Sequence, residues 1–362
     1  MGKIKAFFGL PKDVVFCKRC VISNQRPSST VEFKSKIKDK KEVISFGDDG
    51  ICSACAFQNE KNNTIDWNQR EKLLQQVCDK YRKNDGSYDV LIPGSGGKDS
   101  GFQAHLLKYK YGMNPLTVTW APHLYTDIGL QNFNNWIHIG GFDNFLYTPN
   151  GRLHRLLTKL AFKNLLHPFQ PFIVGQKQIG PLMASKFGIK FIMYGETGTE
   201  AGNKKDEAKR GTMHQKYYSQ DQDKLDITIG GVKIRDIIKN HGFKLGDFKS
   251  YIPMHASEYN NIDVHYLSYY LKWDPQEAYY YAAENTGFSG NTERTVGTYS
   301  KYSSIDDKID FFHWYTTLIK FGIGRASYDA AQEIRTGKIT REEGQLLVKR
   351  YDEEFPQKYL ED

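Results

Sequence analysis

The sequence predicts an α/β protein: a doubly wound, mostly parallel sheet, preceded by a cysteine-rich metal-binding module and followed by a helical region. Three observations carry this. Four of the five cysteines form two Cys-x-x-Cys pairs before residue 56. From residue 88 to 194, short apolar runs of strand length alternate with amphipathic stretches of helical period, the pattern of repeated βα units. The last third is aromatic-rich and keeps a helical period. The implied division is residues 1–63 for the four-cysteine module, 64–250 for the α/β unit and 251–362 for the helical region.

Composition sets the outer limits. A chain of 362 residues with 39% hydrophobic and 14% aromatic residues has ample material for a core and is too aromatic for a solvated coil. No apolar stretch approaches the roughly 20 residues that cross a bilayer. Residues 1–6 lack the apolar core of a signal peptide, and Ala6 stands where an N-myristoylation pattern wants Ser or Thr. The expectation is a soluble, cytoplasmic protein. Fifty Lys+Arg against 42 Asp+Glu leave a net charge of +8, which suits anionic ligands without choosing among them. The basic clusters at 34–41 and 204–210 are interrupted by acidic or neutral residues and read as solvated loops.

Cys17 and Cys20 form one pair, Cys52 and Cys55 the other. Each spacing turns two thiolates toward one side of a tight knuckle, and two facing knuckles complete a tetrahedral sulfur shell. Zinc suits that shell, with iron in its place as the alternative. Four protein ligands leave no open coordination position, so the role is structural. Between the pairs, Val31, Phe33, Val43, Ile44 and Phe46 with the turn at 47–50 read as a short hairpin. Cys78 falls with Leu74, Val77 and Tyr81 on the apolar face of a helix over 65–82, as a core cysteine.

A strand at 88–92 runs directly into Pro93-Gly94-Ser95-Gly96-Gly97-Lys98-Asp99-Ser100 and then into a helix through about residue 109. Strand, glycine-rich turn and helix N-terminus make a phosphate cradle, because glycines let backbone N–H groups approach an anion that the helix dipole favours. The Walker pattern is excluded, since Asp99 follows Lys98; the dinucleotide fingerprint lacks its glycine spacing. Further strands are expected at 116–120, 144–147 and 190–194, with helices over 127–137, 153–166 and 171–187. The last strand ends in Gly195-Glu196, and Glu196 reads either as a magnesium or substrate contact or as a helix-capping carboxylate. In the C-terminal region, Tyr269, Tyr270, Trp273, Phe311 and Trp314 are core or a ligand platform. Thr340 and Glu343 make a capping box for a last helix that ends before Pro356.

Residues 95–100 match all six positions of the Ser-Gly-Gly-x-Asp-Ser signature of the PP-loop ATP pyrophosphatases. That resemblance implies ATP cleavage between the α and β phosphates, forming AMP and pyrophosphate. Ser95, Gly96, Gly97, Lys98, Asp99 and Ser100 would hold the pyrophosphate, Asp99 placing Mg2+. Lys98, Asp99 and Glu196 are the catalytic candidates. Over nearly its whole length the chain further resembles the WbpG-like N-acetyl sugar amidotransferases of bacterial surface-polysaccharide (lipopolysaccharide, O-antigen) biosynthesis. The supports are Cys17-x-x-Cys20 leading to Arg26-Pro27, Gly50-Ile51-Cys52-x-x-Cys55, Ile65-Asp66-Trp67, Trp273-Asp274, Ser304-Ile305-Asp306-Asp307, Phe321-Gly322-Ile323-Gly324-Arg325 and Ile334-Arg335-Thr336-Gly337.

That resemblance implies conversion of a sugar acetamido group to acetamidino through an O-adenylyl imidate. The substrate is an acetamido sugar or sugar nucleotide, bound by the aromatic C-terminal region. No glutaminase nucleophile is present in the sequence, so the resemblance implies ammonia from a separate subunit, a relative of the histidine-pathway glutaminase with its cyclase-like companion. Lys301 and Arg325 are candidates to face the phosphates, with a surface salt bridge as the other reading of each. The alternative is a tRNA-thiolating PP-loop enzyme, disfavoured because no cysteine follows Cys78. A nucleotide-sensing or RNA-binding zinc protein would leave the phosphate loop unexplained, and nucleic acid is not the expected partner.

Overall fold

The computed structural model describes residues 9–259 and 262–362. The sequence reading of residues 1–6 therefore lies outside the described residues. Val90, Leu91 and Ile92 are all fully buried and form strand β1 (Val90–Pro93) at the centre of a five-stranded sheet. A strand with both faces covered reads as an unbroken apolar run. Beside β1 lie β2 (Pro115–Trp120), β3 (Asp143–Tyr147), β4 (Phe191–Tyr194) and β5 (Asp263–Tyr266), in the order β3-β2-β1-β4-β5. Every pairing is parallel.

Helix α1 (Ser53–Asn63) starts at the second cysteine pair and leads toward the sheet. Alternate residues of each strand enter two cores. Val90, Ile92, Phe191 and Met193 meet one layer: α2 (Trp67–Tyr81) through Leu74 and Cys78, α3 (Lys98–His105) through Ala104, and α4 (Asp127–His138) through Phe133 and Trp136. Leu91, Val118 and Ile192 meet the other: α5 (Gly151–Leu165) through Leu153 and Leu157, and α6 (Gln170–Lys186) through Val174, Ile179 and Met183. The chain leaves β1 and β2 on the first face and returns to β4 on the second. The switch therefore lies between β1 and β4, whose carboxyl ends are where an open parallel sheet binds ligands.

Two expectations change. The α/β unit does not stop at residue 250, because β5 completes its sheet. A short helix α8 (Leu267–Tyr270) follows β5, and α9 (Pro275–Thr286) packs on α3: a Cβ at Gly101 would lie 3.2 Å from that of Ala282. The connection from β4 to β5 is long and mostly irregular around α7 (Ile234–His241), which hides the fifth strand. The hairpin between the knuckles is reduced to isolated bridges, Pro27 with Val43 and Phe46 with Cys52. Phe33 sits instead in a 3-10 turn (Glu32–Lys34) and is buried in the core under α6. The helix after the phosphate loop reaches the expected length, its α-helical part (Lys98–His105) passing without a break into a wide π turn (Leu106–Lys110).

The first and last parts of the chain pack on each other. The four knuckle cysteines share a core with Ile323, Ala330 and Ala331, the alanines lying on α11 (Arg325–Thr336). Arg341, first residue of α12 (Arg341–Tyr351), donates from Nε to Cys20 O at 3.3 Å and from Nη2 to Cys17 O at 3.3 Å. Thr340 and Glu343 form the expected capping box of α12. Between β5 and α11, residues 304–307 fold down onto α4: Thr126 N donates to Asp306 O at 3.2 Å, and His123 N to Asp307 Oδ2 at 2.6 Å. Asp307 also caps α10 (Lys308–Phe321) through Ile309 N.

Gly129, in the first turn of α4, makes this approach possible, since a Cβ there would lie 2.5 Å from the Asp306 Cα. Backbone cannot yield as a side-chain tip can. Gly129→Ala is expected to cost about 1–3 kcal/mol of stability by overpacking, read as a lowered midpoint of thermal unfolding. An unchanged midpoint would show that residues 304–307 are not held against α4 in solution.

Candidate active site and metal centre

The phosphate loop lies at the carboxyl end of β1, as its sequence requires. Gly96 has φ +84°, and a Cβ there would lie 2.7 Å from Asn132 O, so only glycine fits. Gly97 caps α3 without a side chain, leaving the first N–H groups of that helix free for an anion. Ser100 Oγ turns back to Gly97 O at 3.0 Å. Lys98 Nζ pairs with the Asp99 carboxylate, while Asp99 Oδ1 is buried without a partner among the described residues.

A cavity of about 430 Å3 opens over this loop. Ser95, Gly97, Lys98 and Asp99 form one wall; Glu196 and Glu200, from the loop after β4, form the second. The third comes from the C-terminal region: Asp306, Trp314, Arg325, Tyr328 and Asp329. Glu196 projects into the cavity from between crowded walls. Glu196 stays exposed to solvent at the cavity mouth, yet the protein crowded around it, with the Asp99 charge opposite, pushes its carboxyl up to about 7. Two facing carboxylates, one carrying an unpartnered buried oxygen, suit a divalent cation beside bound phosphates.

Of the sequence candidates, Ser95, Gly97, Lys98, Asp99, Glu196 and Arg325 therefore line one cavity. Gly96 and Ser100 shape the loop from behind. Arg325 combines both of its readings: it pairs with Asp329 at 3.0 Å and lies 4.7 Å from the centre of the Trp314 ring, yet still reaches the cavity. Lys301 is a correction. It is exposed outside the cavity, and its backbone oxygen accepts from Asn291 N at 2.7 Å. It follows a turn that aims its side chain outward, which spacing alone does not show.

Several site residues carried no role in the sequence reading. Ser95 Oγ donates to Asp306 Oδ2 at 3.1 Å, tying the phosphate loop to residues 304–307. Ser304 holds a left-handed φ of +53° and accepts from Trp314 Nε1 at 3.0 Å. Such a backbone in a non-glycine residue is strained and recurs at functional sites. The run Ser304-Ile305-Asp306-Asp307 was visible, but nothing local says that it reaches back to residue 95. Glu200 bonds Lys61 Nζ through both oxygens at 2.8 and 3.0 Å, with side chains 8% and 1% exposed.

The four knuckle cysteines are fully buried, with sulfurs all within 4.8 Å of one another. Cys17 Sγ lies 3.9 Å from Cys55 Sγ, and Cys20 Sγ 3.8 Å from Cys52 Sγ. A single tetrahedral ion with metal–sulfur bonds of about 2.3 Å places its sulfurs about 3.8 Å apart. A four-iron cluster spreads its thiolates over separate irons and needs a wider cage. Backbone N–H groups of Arg19, Cys20 and Cys52 point at Cys17 Sγ from 3.3 to 3.5 Å, orienting it. The cage can hold a metal ion. Cys78 is fully buried apart from it, its thiol pushed up to about 12 by burial.

Comparison with known proteins adds one family. Residues 296–362 match the family described as "LPS biosynthesis protein WbpG-like, C-terminal domain". The chain is thus similar to WbpG-like proteins over the segment that supplies the third wall of the cavity. No curated protein matches the chain. Among solved structures, NMN synthetase from Francisella tularensis has 11% identity and a TM-score of 0.34, over 79% of this chain and 94% of that one. The U34-tRNA thiolase NcsA from Methanococcus maripaludis, with its [4Fe-4S] cluster, has 13% identity and a TM-score of 0.31, over 92% of this chain and 88% of that one.

The cage geometry predicts about one tightly bound metal ion per chain by elemental analysis. Cys52→Ser should lose the metal and lower the unfolding midpoint together. Metal-free wild type with an unchanged midpoint would contradict it.

Proposed function

We propose that this protein is an ATP-dependent amidotransferase that converts an acetamido group on a sugar into an acetamidino group. One observation carries the reading: residues of the WbpG-like segment, Arg325 foremost, face an intact Ser-Gly-Gly-x-Asp-Ser loop across a single cavity. The chemistry follows from the acceptor. An amide oxygen is a poor leaving group, so it attacks the α-phosphorus of ATP and pyrophosphate departs, giving an O-adenylyl imidate. Ammonia adds to the imidate carbon, a proton is lost, and AMP leaves with the former amide oxygen.

The chain's part is orientation and charge. N–H groups at the start of α3 and Lys98 receive the pyrophosphate; Arg325 meets negative charge from the other side. Asp99 and Glu196 are the residues that would hold magnesium, which supplies further neutralisation of the phosphates when bound. Zinc is the ion proposed for the four-cysteine cage, in a structural role, because four thiolates leave no position open. The thiolation alternative is weaker, since the four cage sulfurs are committed and the fifth is a buried core thiol.

The assay is purified protein with ATP, magnesium, ammonium and a panel of acetamido sugars and their nucleotide-linked forms, read by mass spectrometry. The product is lighter by the difference between NH and O. Asp99→Asn and Ser95→Ala should each reduce pyrophosphate release roughly 100-fold or more while leaving the unfolding midpoint within a few degrees. Wild-type release from either variant would remove that residue from the mechanism.

A second prediction concerns nitrogen. We propose that ammonia comes from a separate glutaminase subunit of the histidine-pathway type with its cyclase-like companion. The isolated chain should then use ammonium, faster as pH rises and more NH3 is present, and should not use glutamine. Nitrogen-15 from labelled glutamine entering the sugar with this chain alone would overturn the two-subunit reading.

A further inference from the structure

A second cavity of about 310 Å3 lies between α6 and the loop after β4. It meets the first at Glu196 and Ala201, which line both. Its volume is at the lower end of small-molecule sites, roughly 300–1,000 Å3. Two buried side chains on its wall have unmet hydrogen-bonding capacity. Gln178 is 2% exposed, and neither the oxygen nor the nitrogen of its amide has a partner among the described residues. The Thr197 hydroxyl, in a residue 3% exposed, has none among them either. Buried polar groups are nearly always satisfied, so orphans facing one cavity mark a place where ordered water or a ligand that displaces it supplies the partners.

The remaining wall limits what that ligand is. Among the described residues, Glu32, Glu196 and Glu207 face the cavity with a single cation, Lys177, whose Nζ lies 5.2 Å from the centre of the Tyr194 ring. Glu207 is already engaged by Asn203 at 3.1 Å and by Tyr217 Oη at 2.8 Å. Glu32 likewise accepts from Thr30 Oγ1 at 3.0 Å and stands 3.8 Å from His167 Nε2, and with Lys177 as the one ammonium on this wall among the described residues the cavity offers little counter-charge to a phosphate-bearing group. Carboxylates accept from hydroxyls, a free amide both donates and accepts, and the aromatic faces of Phe33, Tyr217 and Tyr266 take C–H surface. That combination fits an uncharged ring carrying several hydroxyls.

We propose that the second cavity is the acceptor subsite: it takes the hydroxyl-bearing sugar ring, bonded by Gln178 and Thr197, while the nucleotide phosphates occupy the first cavity. Glu196 stands at the junction, where the acetamido oxygen meets the nucleotide. The assignment rests on the acetamido-sugar reading above and adds the place where the sugar is read.

The test uses the full-length chain and two probes, N-acetylglucosamine and α,β-methylene-ATP, with binding followed by saturation-transfer NMR. Wild type binds both. Gln178→Leu should weaken N-acetylglucosamine by about tenfold or more, the loss expected when a site built to bond a ligand can no longer do so. It should leave α,β-methylene-ATP within about twofold and should not lower the unfolding midpoint, because leucine replaces an amide that has no partner among the described residues. Thr197→Val should repeat the pattern.

Equal weakening of α,β-methylene-ATP would make the cavity a nucleoside site and overturn the proposal. Unchanged sugar binding in both variants, or no sugar binding by wild type, would also overturn it, and a sharp drop in midpoint with loss of both probes would make Gln178 structural. The two readings separate cleanly. Amidine formation with a sugar KM insensitive to both variants sinks the subsite alone; Gln178-dependent sugar binding with no conversion of any acetamido sugar sinks the reaction alone.

Discussion

Lys61 is a charged side chain buried almost completely. It is 1% exposed near the end of α1, and its three donors meet both oxygens of Glu200 and, at 2.8 Å, the backbone oxygen of Trp273. A buried ion pair contributes little net stability against its desolvation cost, but an arrangement that leaves either partner unpaired is strongly disfavoured. The pair therefore acts as a constraint on position. Cys52 and Cys55 lie at the start of the helix that carries Lys61 near its end, Glu200 belongs to the loop lining the first cavity, and Trp273 leads into α9 against the phosphate-loop helix. Arg335 adds a bond from Nη2 to Glu200 O at 3.3 Å, which brings in α11.

This gives the four-cysteine cage a consequence beyond its own stability. Ser53 Oγ donates to Gly202 O at 3.2 Å, and Ser29 N to Asn203 Oδ1 at 3.1 Å. The segment from Glu196 to Asn203 thus hangs between the sheet and the cage, with the two cavities on either side of it. The opposite wall is held in the same manner, by Asp307 on His123 and Asp306 on Ser95. Both contact sets cross long stretches of sequence, so the candidate site is assembled by the docking of the cysteine module and the C-terminal helices onto the sheet rather than by the sheet alone.

How much of this the sequence shows depends on whether a feature is local. The cage, the phosphate loop, Cys78 on its helix and the Thr340 capping box each rest on spacing within a few residues, and the structure places them as read. Gly96 is legible for the same reason, since a turn with positive φ demands it. The fifth strand was hidden because only β-pairing with β4 distinguishes Asp263-Val264-His265-Tyr266 from a loop. Lys301 was a candidate with no motif behind it, and nothing in the residues around it says that its side chain is exposed outside the cavity. Lys61, Glu200, Asp306 and Gln178 were beyond reach. Their roles come from partners far along the chain or, for Gln178, from having none among the described residues, and composition cannot express either state.

The central claim is that the cage, through α1 and the Lys61–Glu200 pair, holds the loop that lines the candidate active cavity. Hydrogen–deuterium exchange over residues 196–203 tests it most directly, comparing metal-loaded wild type, metal-stripped wild type and Lys61→Met. The account predicts that stripping the metal and replacing Lys61 both raise exchange in this segment while β1 and β2 stay protected. Unchanged protection of residues 196–203 in a chain that has demonstrably lost its metal would contradict it.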